Sequence, residues 1–301
     1  MHAASARPAA PARPTPPAPT APKPDGMRLA GVVTMVGSGL SNQTGAAIGS
    51  LAFPVLGPVG VVAVRQYVAA VVLLAVGRPR LRTFTWAQWW PVVLLALVFG
   101  TMNLSLYTAI DRIGLGLAVT LEFLGPLSIA LAASRRRVDA CCAVIAAAGV
   151  VTLMRPRPSA DFLGMGLGLL AAGCWASYIL LNRTVGRRIP GAAGSAAAAG
   201  LSALLFLPVG VAVVVRHPPT PTAVGCAVAA GVLSSAVPCL ADLFTLRRVP
   251  APAFGLFMSV NPVLAGLVGW IVLGQSLDWT EWTGIGAVVA ANVLGILAAR
   301  S

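Results

Sequence analysis

From Met27 to the end of the chain, apolar runs of about 20 residues alternate with short breaks rich in Arg, Pro or Gly. About 20 helical residues cross the hydrocarbon core of a bilayer. Hydrocarbon offers no partner to an unpaired backbone amide, so every such run must be helical. Ten runs are read, at roughly 29–50, 59–77, 88–109, 113–133, 138–154, 162–182, 192–215, 222–244, 252–273 and 281–299. Only 10% of the 301 residues are charged and 57% are hydrophobic, where a soluble domain has about a quarter charged. The pattern predicts an all-α membrane protein and argues against a water-soluble enzyme.

The formal charge of +13 sits in clusters between the runs, which is how topology-setting charges are distributed and not how a nucleic-acid face is built. With the N-terminus cytoplasmic, the inner side receives Arg7, Arg13, Lys23 and Arg28, then Arg78, Arg80 and Arg82, then Arg135, Arg136 and Arg137. Arg183, Arg187, Arg188, Arg247, Arg248 and Arg300 follow on the same side. The outer side receives only Arg112, Arg155, Arg157 and Arg216. The bias predicts that both termini are cytoplasmic. Trp86, Trp89, Trp90, Trp279 and Trp282 fall at predicted interfaces, where Trp anchors a span. Residues 1–27, with eight prolines and almost nothing large and apolar, read as a disordered cytoplasmic tail. Cys141, Cys142, Cys174, Cys226 and Cys239 lie within the runs and lack the spacing of a zinc or redox motif, so neither metal nor cofactor is expected.

The segment from Arg112-Ile113-Gly114 to Pro126-Leu127 aligns with that from Arg248-Val249-Pro250 to Pro262-Val263 at a constant offset of 136. Five spans per copy is an odd number, so the second copy is inverted relative to the first. Inverted repeats mark secondary transporters, whose substrate site lies near midplane between the halves. The expected organisation is the tail, a first repeat over 28–154 and a second over 162–299.

Ionisable and amide side chains at membrane depth are the candidates for chemistry. Glu122 lies mid-span, and Pro126, four residues on, cannot donate to its carbonyl. One residue thus offers a carboxylate and a free carbonyl, suited to an ammonium group or to an exchangeable proton. The bland alternative is a protonated carboxyl bonded to a neighbouring helix. Asp242 follows Pro238, which frees the Ser234 carbonyl; a gate or substrate role competes with pairing to Arg247 or Arg248. Asn261 precedes Pro262 and either meets substrate or bonds two helices together. Arg65, the one cation within a span, pairs with Glu122, receives a substrate carboxylate, or snorkels outward. Asn42, in the cluster Ser41-Asn42-Gln43-Thr44, together with Asn103, Tyr107, Ser177 and Tyr178, are further candidates for the same cavity, against interhelical bonding. Catalytic residues are not assigned: no Walker loop is present, and His2 and His217 lie in the tail and a loop.

Leu121-Glu122-Phe123-Leu124-Gly125-Pro126-Leu127 followed by Ser134-Arg135-Arg136-Arg137-Val138-Asp139 resembles the EamA-type transporters of the drug/metabolite transporter superfamily, on the threonine/homoserine exporter branch. Ser234-Ser235-Ala236-Val237-Pro238, Leu246-Arg247-Arg248-Val249-Pro250 and Phe254 through Pro262 extend the resemblance through the second half. It implies ten helices in two inverted repeats, a central cavity, small-metabolite export commonly exchanged for protons, and a dimer through the fifth and tenth spans. Asn261 stands where many members carry Glu before Pro, and Gln275 where Glu is usual, which leaves Glu122 as the principal proton candidate. The expected activity is proton-coupled export of small amino acids by alternating access from the cell membrane. Export of lipophilic compounds, with Trp175 and Phe257 as stacking surfaces, is the first rival; a non-transporting scaffold is the second.

Overall fold

The computed structural model describes residues 26–132, helical pieces within 141–152, and residues 161–216, 218–238 and 260–298. Asp242, the Arg clusters at 135–137 and 247–248, Phe257, Cys239 and residues 1–25 lie outside the described residues.

The described residues are helical and include no strand. In order they form α1 (Gly26–Ser50), α2 (Phe53–Gly77), α3 (Trp86–Ile113), α4 (Leu115–Glu122) and α5 (Leu124–Ala132). The order continues with α6 (Phe162–Arg188), α7 (Ala193–Arg216), α8 (Pro221–Gly231), a π-turn (Val232–Ala236), α9 (Asn261–Leu273) and α10 (Trp279–Ala298). Four of them, α2, α3, α6 and α7, are each long and apolar enough to cross a membrane. Their outward faces carry large apolar residues such as Val71, Leu180 and Val215, as a lipid-facing surface requires.

Helix ends follow local chemistry. α2 begins six residues before the predicted 59, because a proline sits in its first turn, where a missing N–H costs nothing. Gly57, at φ 65 and ψ 167, absorbs the kink that Pro58 demands. The run 113–133 divides into α4 and α5 at Phe123, since Pro126 leaves the Glu122 carbonyl without its helical donor.

Neighbouring helices pair by small residues that let backbones approach. α3 lies along α6 and α2 along α7. α1 packs on α8 and α9, and α6 packs on α3, α4 and α5. A Cβ at Gly116 would lie 3.1 Å from the Gly266 Cα, so α4 and α9 meet almost backbone to backbone. The end of the bundle where α1 leaves and α2 enters is filled by a continuous core that includes Leu56, Val61, Tyr107, Ile110, Leu115 and Val268.

That end is also tied by polar bonds. Arg112, closing α3, forms a 2.8 Å ion pair with Asp161, and Asp161 caps α6 by accepting the Gly164 N–H at 2.9 Å. The Gln275 side-chain oxygen, following α9, accepts the Leu115 N–H that opens α4 at 3.0 Å.

Candidate substrate-binding site

Residues of α1, α2, α3 and α6, the end of α4 and the start of α9, with the π-turn and Pro238 beyond it, enclose a cavity of about 210 Å³. Its polar lining includes Asn42, Gln43, Arg65, Asn103, Glu122 and Asn261, and its apolar wall is built around Phe99, Phe123 and Trp175. Trp175 meets Phe123 edge to face with centroids 4.7 Å apart.

Arg65 turns inward. Its Nη2 donates to the Ser234 carbonyl at 3.3 Å and its Nε to Ser235 Oγ at 3.4 Å. The Ser234 carbonyl is available because Pro238, four residues on, has no N–H to give it. The guanidinium carbon stands 5.1 Å from the Tyr107 ring centroid, a distance at which the ring face attracts a cation. Snorkelling to the interface is therefore not what Arg65 does. A cation at this depth is held by a carbonyl, a hydroxyl and an aromatic face, and among the described residues no carboxylate is in ion-pair contact with it.

Glu122 closes α4 and is only 7% exposed. It lines the same cavity as Arg65, yet the ion pair formed among the described residues is Arg112–Asp161. A carboxyl and a guanidinium thus share one small cavity without forming an ion pair with each other.

The remaining candidates divide between wall and support. Asn42 lines the cavity and its carbonyl accepts Ser234 Oγ at 2.8 Å, while Ser41 Oγ donates to the Leu233 carbonyl at 2.9 Å. These two bonds stitch α1 to the π-turn. Gln43 Nε2 reaches Asn261 Oδ1 at 3.4 Å, so Asn261 bonds two helices while also lining the cavity. Pro262 lies in the first turn of α9, opening that helix. Asn103 lines the cavity but donates its amide to the Phe99 carbonyl one turn back, at 2.8 Å. Tyr107 is fully buried behind the wall, edge to face with Phe53, and its hydroxyl has no hydrogen-bond partner among the described residues. Tyr178 lines the cavity, whereas Ser177 faces outward and donates to the Gly173 carbonyl at 2.9 Å. Of the predicted site residues, Asn42, Arg65, Asn103, Glu122, Pro238 and Asn261 are brought to one cavity. Sequence reasoning missed Ser235 as a holder of Arg65, although the free Ser234 carbonyl beside it was legible from Pro238. It also missed Gln66, which is 1% exposed with both amide atoms unpartnered.

Helices of membrane length around a small polar cavity define the class of a multi-pass membrane protein. Residues 162–297 match the EamA-like transporter family. The chain is 33% identical over 272 residues to the threonine/homoserine exporter RhtA of Escherichia coli K12, covering 89% of this chain and 92% of the relative. To the protein of the same name in Salmonella typhimurium SL1344 it is 34% identical over 263 residues, 86% of this chain and 89% of the relative. A crystal structure of a protein 19% identical superposes with a TM-score of 0.57 over 87% of this chain and 97% of that one, and so shares the fold. The chain belongs to the EamA-like transporter family, as a multi-pass protein of the cell membrane.

Proposed function

We propose that this protein exports small amino acids of the threonine and homoserine type, in exchange for protons, by alternating access. The observation that carries the reading is that a guanidinium and a carboxyl face one cavity with no ion pair between them. An amino acid presents a carboxylate and an ammonium group one carbon apart, and Arg65 and Glu122 supply the matching cation and anion. Arg65 receives the carboxylate through its fork of N–H donors. Glu122 holds either the ammonium group or a proton, and competition between them couples the two fluxes. The side-chain hydroxyl of the cargo finds amide partners in Asn42 and Asn103. The names of the relatives support the same cargo class.

The architecture proposed with it is ten transmembrane helices in two inverted repeats, 28–154 and 162–299, with both termini cytoplasmic. In support, packing partners recur when the halves are exchanged: α1 lies on α8 and α9 as α6 lies on α3 and α4, and α2 lies on α7. Access alternates between the two ends, and the core around Tyr107 and Leu115 is the closed gate of the present arrangement.

Proteoliposomes loaded with threonine or homoserine test the cargo. Both should leave faster than from protein-free vesicles, and lipophilic cationic dyes should not compete. Dye competition without amino-acid efflux would replace this cargo with a lipophilic one.

A further inference from the structure

At the end of the bundle away from Tyr107 and Gln275, the turns after α2 and α6 meet around a second cavity, of about 360 Å³. Its polar wall is Arg78, Arg80, Thr83 and Gln88; its apolar wall includes Phe84 and Ile189. Residues 78–90 and 183–193 contain six arginines and not one Asp or Glu, so no acid within these turns offsets the charge.

One of these arginines sits on a disfavoured backbone conformation. Arg78 has φ 37, the one non-glycine residue with positive φ among the described residues. That conformation is disfavoured for any side chain with a Cβ. Gly77 beside it does not take the position, because its own lack of a Cβ is used in packing: an added Cβ would lie 2.9 Å from the Ala192 carbonyl oxygen. The arginines are unequally committed. Arg188 donates to the Ala87 carbonyl and lies 4.9 Å from the Trp90 ring centroid. Arg78 donates only its Nε, to the Ala75 carbonyl at 3.3 Å. Arg80 forms no side-chain hydrogen bond or ion pair among the described residues. Beside the cavity, Trp86 is 81% exposed, as expected for an aromatic anchor at head-group level.

We infer that this cavity binds the phosphodiester head group of an anionic phospholipid. Arg78 and Arg80 donate to the phosphate oxygens through charge-assisted hydrogen bonds, and Phe84 and Ile189 lie against the glycerol and upper acyl carbons. Basic pockets between membrane helices are suited to such head groups. The lipid joins two turns already linked where Gln88 Nε2 donates to the Arg188 carbonyl at 2.9 Å, and so braces α2–α3 against α6–α7.

The test titrates short-chain phosphatidylglycerol into the full chain in an uncharged detergent and reads the thermal unfolding midpoint. The midpoint should rise with phosphatidylglycerol and not with phosphatidylcholine. Arg78→Ala/Arg80→Ala should need about thirtyfold more lipid for the same rise, from the usual contribution of a basic residue at an anionic surface. Arg216→Ala, which removes one positive charge at the far end of α7, should respond as the unmodified protein. Should the double variant fail to fold, Arg80→Ala alone removes an exposed, uncommitted side chain and should weaken the response about fivefold. Equal responses in all variants, or an equal loss in Arg216→Ala, would overturn the site. An equal rise with inorganic phosphate or glycerol phosphate would overturn the lipid assignment in favour of a soluble anion.

Discussion

Arg65 carries a membrane-depth charge on a carbonyl, a hydroxyl and a ring, and each partner implies a measurable consequence. Lys keeps the charge but loses the planar fork that fits both a carboxylate and a ring face. Arg65→Lys should therefore raise the half-saturating amino-acid concentration in efflux by about tenfold or more, the weight of a hydrogen bond to a charged group. Tyr107 separates ring from hydroxyl. Its hydroxyl has no partner among the described residues, so Tyr107→Phe should leave thermal stability and efflux unchanged or slightly improved. Tyr107→Ala empties a filled core position and should cost about 3–5 kcal/mol, read by thermal or denaturant unfolding. Glu122, Arg65 and the three prolines were legible in the sequence because ionisable and helix-breaking residues stand out in an apolar run. The direction of Arg65 was not legible. Depth alone leaves snorkelling and inward bonding equivalent, and the choice falls to the Ser234 carbonyl, 169 positions away.

Helices are the scale at which the sequence was most readable. The predicted runs and the described helices agree closely wherever Pro, Gly and Arg punctuate them, as at Gly77-Arg78 and Gly114. The π-turn Val232–Ala236 had no such mark. One extra residue in a turn changes no periodicity that five apolar or small residues can display. It is nevertheless what aligns Leu233 and Ser234 with Ser41 and Asn42. Gly45 is packed into that contact: a Cβ there would lie 2.8 Å from the Leu233 Cβ and 2.9 Å from the Ser234 nitrogen. Gly45→Ala should force α1 away from the turn and destabilise by about 1–3 kcal/mol, seen as a lowered unfolding midpoint. At the other contact between halves, the Gly164 N–H foremost, and then Arg112, hold the Asp161 carboxyl below the ordinary aspartate range. A depressed folded-state pKa stabilises fully above the unfolded value of about 3.9 and is lost as pH falls through the folded one. Unfolding midpoints of the unmodified protein and Asp161→Asn should therefore differ at neutral pH and converge as the solution is acidified through that range.

For the whole molecule, the odd number of spans per repeat fixes the geometry of the proposal. In that proposal each half is the other turned over, so the contacts that close one end should open as their counterparts close the other. Gln275, Asp161 and the core around Leu115 tie together the end where α1 leaves, and the proposal makes these contacts the gate. The offset of 136 is the sequence signal on which the proposed repeat rests. If both termini are cytoplasmic, tags at residue 1 and residue 301 should both be protected from protease in intact cells and cut once the cells are opened; protection of only one would require an odd number of spans. The central claim is that one carboxylate takes either a proton or the cargo. The most direct test is threonine efflux from proteoliposomes with and without an imposed proton gradient, for the unmodified protein and for Glu122→Gln. The account predicts efflux that the gradient accelerates in the unmodified protein, and none driven by the gradient in a folded Glu122→Gln. Gradient-driven efflux that survives in Glu122→Gln would contradict it.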